Sequence, residues 1–302
     1  GKVLFSMTAG PTNEYGDKIC RAVSEMRAEG LDVNAISIPR GSGFVTGLQC
    51  NLIWRSKPWK RLGRMDLNER LVTIRGETSR RELIEAAKVE TLAEYGDIWR
   101  LTGMEHIVWL GDSERPQYTG GRESSLQALA DAAGEHPVET FLRLSDKSDG
   151  RALFTVRFFN QNLEALRRVL SHEFVMPGLG DAGAHVSQIM DAGWSTFVLS
   201  HWGRDEELYS LEEAVRRITS APARVLGVAD RGTIAPGLRA DINVIDIDRL
   251  GERMPEIVHD FPGGAKRFVQ RANGYRATIC NGKTLLLDDE HTGVRSGRVL
   301  RH

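Results

Sequence analysis

Apolar positions change their spacing twice near the start of the chain, and these changes predict a β-α-β unit. The run Val3–Met7 is mostly apolar and leads into Ala-Gly-Pro, as a strand entering a loop does. Ile19, Val23 and Met26 then recur at helical spacing, and Leu31–Ile38 returns to strand character before a proline. Such a unit sets two parallel strands side by side, so the loops that follow both strands meet at one end of the sheet.

The central part of the chain continues as an alternation of predicted helices and strands. The predicted strands are Ile107–Leu110, Ala152–Val156 and Phe174–Met176. The predicted helices are Ser124–Ala133, Val138–Leu144 and Asn162–Leu170, and the charged stretch Asp66–Glu94 is predicted to be mostly helical. We find no internal repeat or low-complexity segment between them.

The last third of the chain changes from one strongly amphipathic helix to β structure. Leu211–Ile218 has apolar residues at helical spacing, so one face should pack on the core, and Ser210 with Glu213 predicts a capping box. From Ala240 onward the pattern alternates as in strands, and Asn281-Gly282 is the signal of a type I′ hairpin.

Composition narrows the class of protein. The chain has 302 residues, with 40 basic and 41 acidic side chains and a net charge of -1, which argues against partners such as nucleic acid or a membrane surface. Three widely spaced cysteines, Cys20, Cys50 and Cys280, fit reduced thiols better than disulfides and predict a soluble, cytoplasmic protein. A strand-like start without an initiator Met suggests a truncated or processed chain.

Four segments in order carry a family resemblance: Phe174–His185, the helix Leu211–Ile218, Thr219–Ala223 and Arg231–Asp246. Together they resemble the end of a metal-dependent amidohydrolase of the N-acyl-D-amino-acid deacylase (D-aminoacylase) branch. The resemblance implies an α/β fold: the later part of a (β/α)8 TIM barrel over residues 1–228, followed by a C-terminal β segment over residues 229–302. It also implies that most of the metal site lies upstream of Gly1.

Asp181 is the catalytic residue that the resemblance implies. In that family an aspartate at the end of the last barrel strand holds or neighbours the metal and accepts a proton from the attacking water. Here Gly180-Asp181 stands where the family usually has Ser-Asp. The alternative is that Asp181 only caps a helix starting near Ala184. His185 shortly follows and is a candidate to bind the substrate's acyl oxygen or carboxylate, the alternative being a surface or capping histidine.

Arg40 and Ser42 are candidate substrate-binding residues after the second predicted strand. The resembling deacylases read Tyr-Pro-Tyr and then small residues here, so Pro39 and Ser42 fit, whereas Ile38 and Arg40 depart from the pattern. Arg40 precedes a predicted flexible Gly-rich turn, and a guanidinium there is suited to clamp the carboxylate of an N-acyl amino acid through two parallel hydrogen bonds. An exposed turn arginine with no binding role is the alternative.

The metal ligands are the weakest part of the resemblance. The family uses a His-x-His pair, a Cys or acidic ligand and two further histidines, because zinc takes three or four N, S or O donors. None of the 8 histidines here forms a His-x-His pair, and Met7 stands where the last family histidine is expected. A thioether is a poor zinc ligand. Zinc or another divalent metal is therefore expected in the full-length enzyme, through Asp181 and upstream ligands, but not tightly bound by this chain alone.

The resulting hypothesis is a metal-dependent amidohydrolase that hydrolyses the amide C–N bond of an N-acyl-(D-)amino acid. Water activated by the metal would attack the acyl carbon, and Asp181 would pass its proton to the leaving amine. Two alternatives stay open: a non-catalytic scaffold with the same fold, which Met7 permits, and an amidohydrolase acting on a cyclic amide. An open partial barrel exposes strand edges, so assembly with a missing N-terminal half or as a homo-oligomer is expected.

Overall fold

The computed structural model describes residues 1–10, 12–90, 103–178 and 185–299. Its strands are β1 (Lys2–Ser6), β2 (Asp32–Ser37), β3 (Ser42–Thr46), β4 (Ile107–Trp109), β5 (Phe154–Phe159), β6 (Val175–Pro177), β7 (Ile242–Ile245), β8 (Gly251–Glu252), β9 (Glu256–Phe261), β10 (Ala265–Val269), β11 (Ala272–Asn273), β12 (Tyr275–Cys280), β13 (Lys283–Leu287) and β14 (Glu290–His291). Its helices are α1 (Asn13–Ala28), α2 (Lys57–Leu62), α3 (Leu67–Arg75), α4 (Glu77–Lys88), α5 (Leu126–Ala133), α6 (Pro137–Lys147), α7 (Leu163–Ser171), α8 (Trp194–Phe197), α9 (Leu211–Ile218) and α10 (Ser220–Leu226). A π-helical turn, Val198–Asp205, continues α8.

A three-stranded parallel sheet in the order β1-β2-β6 contains the predicted β-α-β unit. Helix α1 connects its first two strands and packs against α7. Val33, Ala35 and Val175 are buried in the sheet together with Leu166 and Val169 of α7. The mixed α/β class is confirmed. In the part of the chain that the structure describes, the parallel strands form an open sheet, not a closed barrel.

A separate antiparallel sheet in the order β3-β5-β4 lies between β2 and β6 in the sequence. It has its own buried cluster, in which Trp54 and Trp59 pack on Phe141, and Phe141 packs on Phe154 of β5. Two predicted strands, now β4 and β5, belong here and not to the parallel sheet. Alternation alone does not distinguish a strand of one sheet from a strand of another, because pairing is decided by distant residues.

Strand β3 corrects the prediction of a flexible Gly-rich turn after Arg40. Gly43 of β3 lies next to Val156 of β5 in the sheet. A Cβ added at Gly43 would lie 1.7 Å from the carbonyl oxygen of Val156. Glycine is therefore needed here because it lets two backbones approach closely, and not because it makes the segment flexible. Ser42 consequently lies at the buried start of a strand.

Helix α9 has the predicted bounds, Leu211–Ile218. Ser210 Oγ accepts a hydrogen bond from the Glu213 backbone N–H at 3.2 Å, which is one half of the predicted capping box. The Glu213 carboxylate instead pairs with Arg217 at 2.7 Å. Leu211 is 45% exposed, so its apolar face is only partly covered by the described residues.

The C-terminal region is β structure, as predicted, with a four-stranded sheet in the order β14-β13-β12-β7. Asn281 and Gly282 have φ values of 51° and 76°, the left-handed pair that a type I′ hairpin requires. Leu250 and Phe268 are buried in the same cluster as the parallel sheet, so this region shares a core with it. Among the described residues, no helix is long and apolar enough to cross a membrane.

Candidate functional site

The carboxyl ends of β1, β2 and β6 lie at one edge of the parallel sheet. Met7 N donates to Ile36 O at 2.9 Å, and Gly178 N donates to Ser37 O at 2.9 Å. The loops that leave these three strands therefore start side by side, and in parallel α/β sheets this edge is where ligands bind.

Asn160 forms hydrogen bonds to two of these loops, the one after β1 and the one after β2. Its Oδ1 accepts from Ala9 N at 2.8 Å and its Nδ2 donates to Ile38 O at 2.8 Å. The residue is 2% exposed and has φ of 52°, a conformation that Asn tolerates better than most side chains. Sequence analysis did not identify it, and an Asn directly after an apolar strand was the only local signal. Trp202 adds a further tie, because its Nε1 donates to Pro39 O at 2.6 Å.

Arg40 is buried, with 1% exposure, so the alternative of an exposed turn arginine is wrong. Its Nη1 lies 3.1 Å from Glu252 Oε1, and its Nη2 donates to Met190 O and lies 4.0 Å from Asp191 Oδ1. The guanidinium also lies 3.5 Å from the centroid of the Tyr118 ring. Because these internal partners surround the guanidinium, Arg40 joins the β2 loop to the C-terminal β structure.

Ser42 reaches the same cluster. Its Oγ donates to Asp191 Oδ2 at 2.6 Å, and both residues are buried. The structure thus brings together the two predicted substrate-binding residues Arg40 and Ser42 through Asp191, a carboxylate that sequence analysis did not single out. Their role in binding a substrate carboxylate stays a prediction.

Burial dominates the electrostatics of this cluster. It raises the pKa of Glu252 to about 7, against the opposing effect of the Arg40 charge, with a smaller upward contribution from Asp191. Burial likewise raises the pKa of Tyr118 to about 12 and lowers that of Arg157 to about 10. Gly193 makes room for the carboxylate, because a Cβ there would lie 2.1 Å from Glu252 Oε1.

This pKa predicts how stability depends on pH. Between the ordinary value of 4.5 and about 7, Glu252 holds a proton in the folded state that it has lost in the unfolded state. The contribution of Glu252 to the free energy of unfolding is therefore fully present below pH 4.5 and is lost as the pH rises through 7. We expect the urea midpoint of the wild type to fall more than that of Glu252→Gln between about pH 5 and about pH 8. Parallel midpoints for the two proteins would contradict the assignment.

His185 is exposed and has φ of 47°. Its carbonyl accepts from Gln188 N at 2.7 Å and Ile189 N at 2.9 Å, which closes a single turn. The structure describes a turn from His185 onward. Asp181 and Ala184 lie outside the described residues, so both interpretations of Asp181, as the catalytic residue and as a helix cap, stay predictions. The proposed contact between His185 and a substrate stays a prediction.

The described residues do not fit a metal site. Met7 follows β1 at the strand edge and is 7% exposed, with a thioether where zinc prefers nitrogen, oxygen or thiolate. Within the described ranges, no group of three or more His, Cys, Asp or Glu side chains is placed to hold a metal ion.

We expect residues 1–302 alone to bind no zinc tightly, because Met7 stands where a histidine ligand is expected and the described residues bring too few other donors together. Elemental analysis after extensive dialysis measures this directly. About one zinc per chain would contradict the expectation.

Residues 76–286 match the model of the amidohydrolase family. The chain therefore belongs to the amidohydrolase family. An N-acyl-D-glutamate deacylase from Alcaligenes xylosoxydans xylosoxydans is 38% identical over 102 residues, covering 32% of this chain and 20% of that protein. A D-aminoacylase from the same organism is 31% identical over 145 residues, covering 47% of this chain and 28% of that protein.

Two solved structures share the fold along the whole chain. A D-aminoacylase studied for its binuclear metal centre aligns with a TM-score of 0.53 at 20% identity. An N-acyl-D-glutamate deacylase from Bordetella bronchiseptica, in complex with zinc and a phosphonate inhibitor, aligns with a TM-score of 0.50 at 20% identity. Each alignment covers 100% of this chain and 50% of the solved chain, so the chain spans about half the length of these relatives. The predicted resemblance to D-aminoacylases is confirmed.

Proposed function

We propose that the complete protein hydrolyses the amide C–N bond of an N-acyl-D-amino acid. The observation that carries the proposal is the edge where β1, β2 and β6 end together, within a chain that belongs to the amidohydrolase family. Relatives that act on N-acyl-D-glutamate and other N-acyl-D-amino acids support the substrate class. In this proposal residues 1–228 are the later part of the barrel and residues 229–302 are the C-terminal β segment.

Asp181 is the proton carrier in this reaction. Water attacks the acyl carbon while the Asp181 carboxylate accepts its proton. The same proton then passes to the amine nitrogen as the C–N bond breaks, which yields a carboxylic acid, ionised to carboxylate in water, and a free amine. Asp181 suits this task by position, because it follows β6 closely and that strand ends at the shared edge.

The surrounding residues hold this edge in place. Asn160 and Trp202 fix the loops after β1 and β2, and Arg40 fixes the second of these loops to Glu252. In the proposed enzyme His185, Ser42 and Arg40 bind the substrate, with Arg40 bonded to the substrate carboxylate in addition to its internal partners. A metal ion in the complete protein requires ligands outside the residues that the structure describes.

Assaying the complete protein on matched N-acetyl-D- and N-acetyl-L-amino acids tests the proposal. Release of free amine from the D-substrates, with slower release from the L-substrates, is the expected result. A second candidate is a non-catalytic amidohydrolase-fold protein, which the buried Met7 at the strand edge favours. No amine release from any N-acyl amino acid, by folded complete protein supplied with zinc, would favour this second candidate.

A further inference from the structure

A cavity of about 350 Å³ opens beside the candidate site, between β3, the residues that follow it, α2 and Lys266 of β10. Gln188 forms part of its wall. The segment that contains Gln188 is held there by Val45 N, which donates to Gln188 O at 2.6 Å, and by Asn51 Nδ2, which donates to Ser187 O at 3.1 Å. Gln188 N also donates to His185 O at 2.7 Å. The cavity therefore adjoins His185, a candidate substrate-binding residue.

The charged side chains that line the cavity, among the described residues, are all basic. Lys60, Arg70, Lys266 and Arg55 line it, and no Asp or Glu is among the described residues that do so. The Arg70 guanidinium donates hydrogen bonds to backbone carbonyls, including those of Leu48 and Gly63. None of these acceptors is a carboxylate. Positive charges gathered around a partly enclosed space repel one another, so an anion that enters the cavity is attracted by all of them.

A buried donor in the cavity wall also lacks a partner. Trp54 is 2% exposed, and no described residue accepts a hydrogen bond from its Nε1. Its neighbour Trp59, at 4.6 Å between ring centroids, donates its own Nε1 to Leu83 O at 3.0 Å. An unpaired buried N–H costs free energy, so the Trp54 N–H is suited to an acceptor atom of a ligand.

We propose that this cavity binds a carboxylate, and that in the complete protein it takes the side-chain carboxylate of an acidic N-acyl amino acid. A carboxylate offers several acceptor lone pairs, which suits the Lys60 and Lys266 ammonium groups and the Trp54 N–H together. The contact of Gln188, in the cavity wall, with His185, the candidate substrate-binding residue, supports a substrate side chain reaching this cavity. The assignment to a substrate rests on the proposed function, whereas carboxylate binding itself does not.

The test compares the double variant Lys60→Gln/Lys266→Gln with the wild type in the complete protein. Calorimetric titration with glutarate should show affinity reduced about 10-fold or more, because charge-assisted hydrogen bonds are lost. Lys57→Gln is the matched control, since Lys57 lies on the same helix but does not line the cavity, and it should leave glutarate affinity unchanged. Lys60→Arg/Lys266→Arg keeps both charges and should restore most of the binding. Thermal midpoints establish that every variant is folded.

A kinetic comparison then connects the cavity to the substrate. The ratio of kcat/KM for N-acetyl-D-glutamate over N-acetyl-D-glutamine should fall about 10-fold in the double variant and stay constant in Lys57→Gln. A constant ratio in the double variant, in an active enzyme, would overturn the substrate assignment. Inorganic phosphate that binds the cavity without competing with N-acetyl-D-glutamate would overturn it as well. If no substrate is hydrolysed, the proposed function fails, yet glutarate binding lost in the double variant would still support the carboxylate site. Equal glutarate binding in all variants would overturn the site itself.

Discussion

Replacing Asp181 by Asn is expected to lower turnover of the complete protein by about 100- to 10,000-fold, the usual contribution of general acid–base catalysis. The amide keeps the size of the carboxylate but neither its charge nor its capacity to take a proton. Folding should be nearly unchanged, because Asn keeps some hydrogen bonding of the side chain and caps a helix about as well as Asp does. Steady-state kinetics on an N-acetyl-D-amino acid, with the thermal midpoint measured in parallel, gives both quantities.

Asp131→Asn is the matched control, because Asp131 is exposed on α5 and, among the described contacts, its carboxylate accepts a hydrogen bond only from Gln127 of the same helix. Its turnover should equal that of the wild type. Near-normal turnover in Asp181→Asn would remove Asp181 from the mechanism and move the proton transfer to another group.

Replacing Arg40 by Met is expected to destabilise the protein by about 3–5 kcal/mol, since it removes the cation that lies beside the buried Glu252 carboxyl group. Glu252 would lose its 3.1 Å partner and Asp191 its nearby charge. Urea unfolding measures the change. Arg61→Met is the control: Arg61 pairs with Glu82 at 2.6 Å but is 58% exposed, and exposed pairs contribute about 0–1 kcal/mol.

A double variant separates the pair from simple packing. Arg40→Met/Glu252→Gln should recover part of the lost stability, because the buried carboxylate is removed along with its cation. Equal losses in Arg40→Met and Arg61→Met would show that the buried ion pair contributes little. In the complete protein, the variant Arg40→Lys tests the predicted bond between Arg40 and a substrate carboxylate. A KM raised only for substrates with a carboxylate would support this bond, because Lys cannot form two parallel hydrogen bonds.

Much of the secondary structure was predictable because it depends on near neighbours in the sequence. Helix α1 follows from apolar spacing that ends before Gly30, and the hairpin at Asn281-Gly282 follows from two residues that tolerate positive φ. Strand β3 was not predictable in the same way. Its glycines read as a flexible turn, and only the approach of Val156 shows that Gly43 belongs to a sheet.

The candidate site was predictable only in part. Arg40, Ser42 and His185 could be selected because they follow predicted strands, where the loops of an α/β sheet meet. The partners of Arg40 could not be selected, because Glu252 lies in the C-terminal β structure and no local pattern links the two. Asn160 was missed for the same reason: its two hydrogen bonds join loops that are far apart in the chain.

The sequence by itself determined the local elements, the order of α and β segments and the resemblance to an amidohydrolase. These properties depend on spacing, turn residues and motifs within a few neighbouring positions. Only the tertiary structure decided that β1, β2 and β6 pair while β3 to β5 form a second sheet, that Arg40 is buried against Glu252, and that Lys60 and Lys266 face one cavity. Burial and charge pairing arise between residues distant in sequence, so they exist only once the chain has folded.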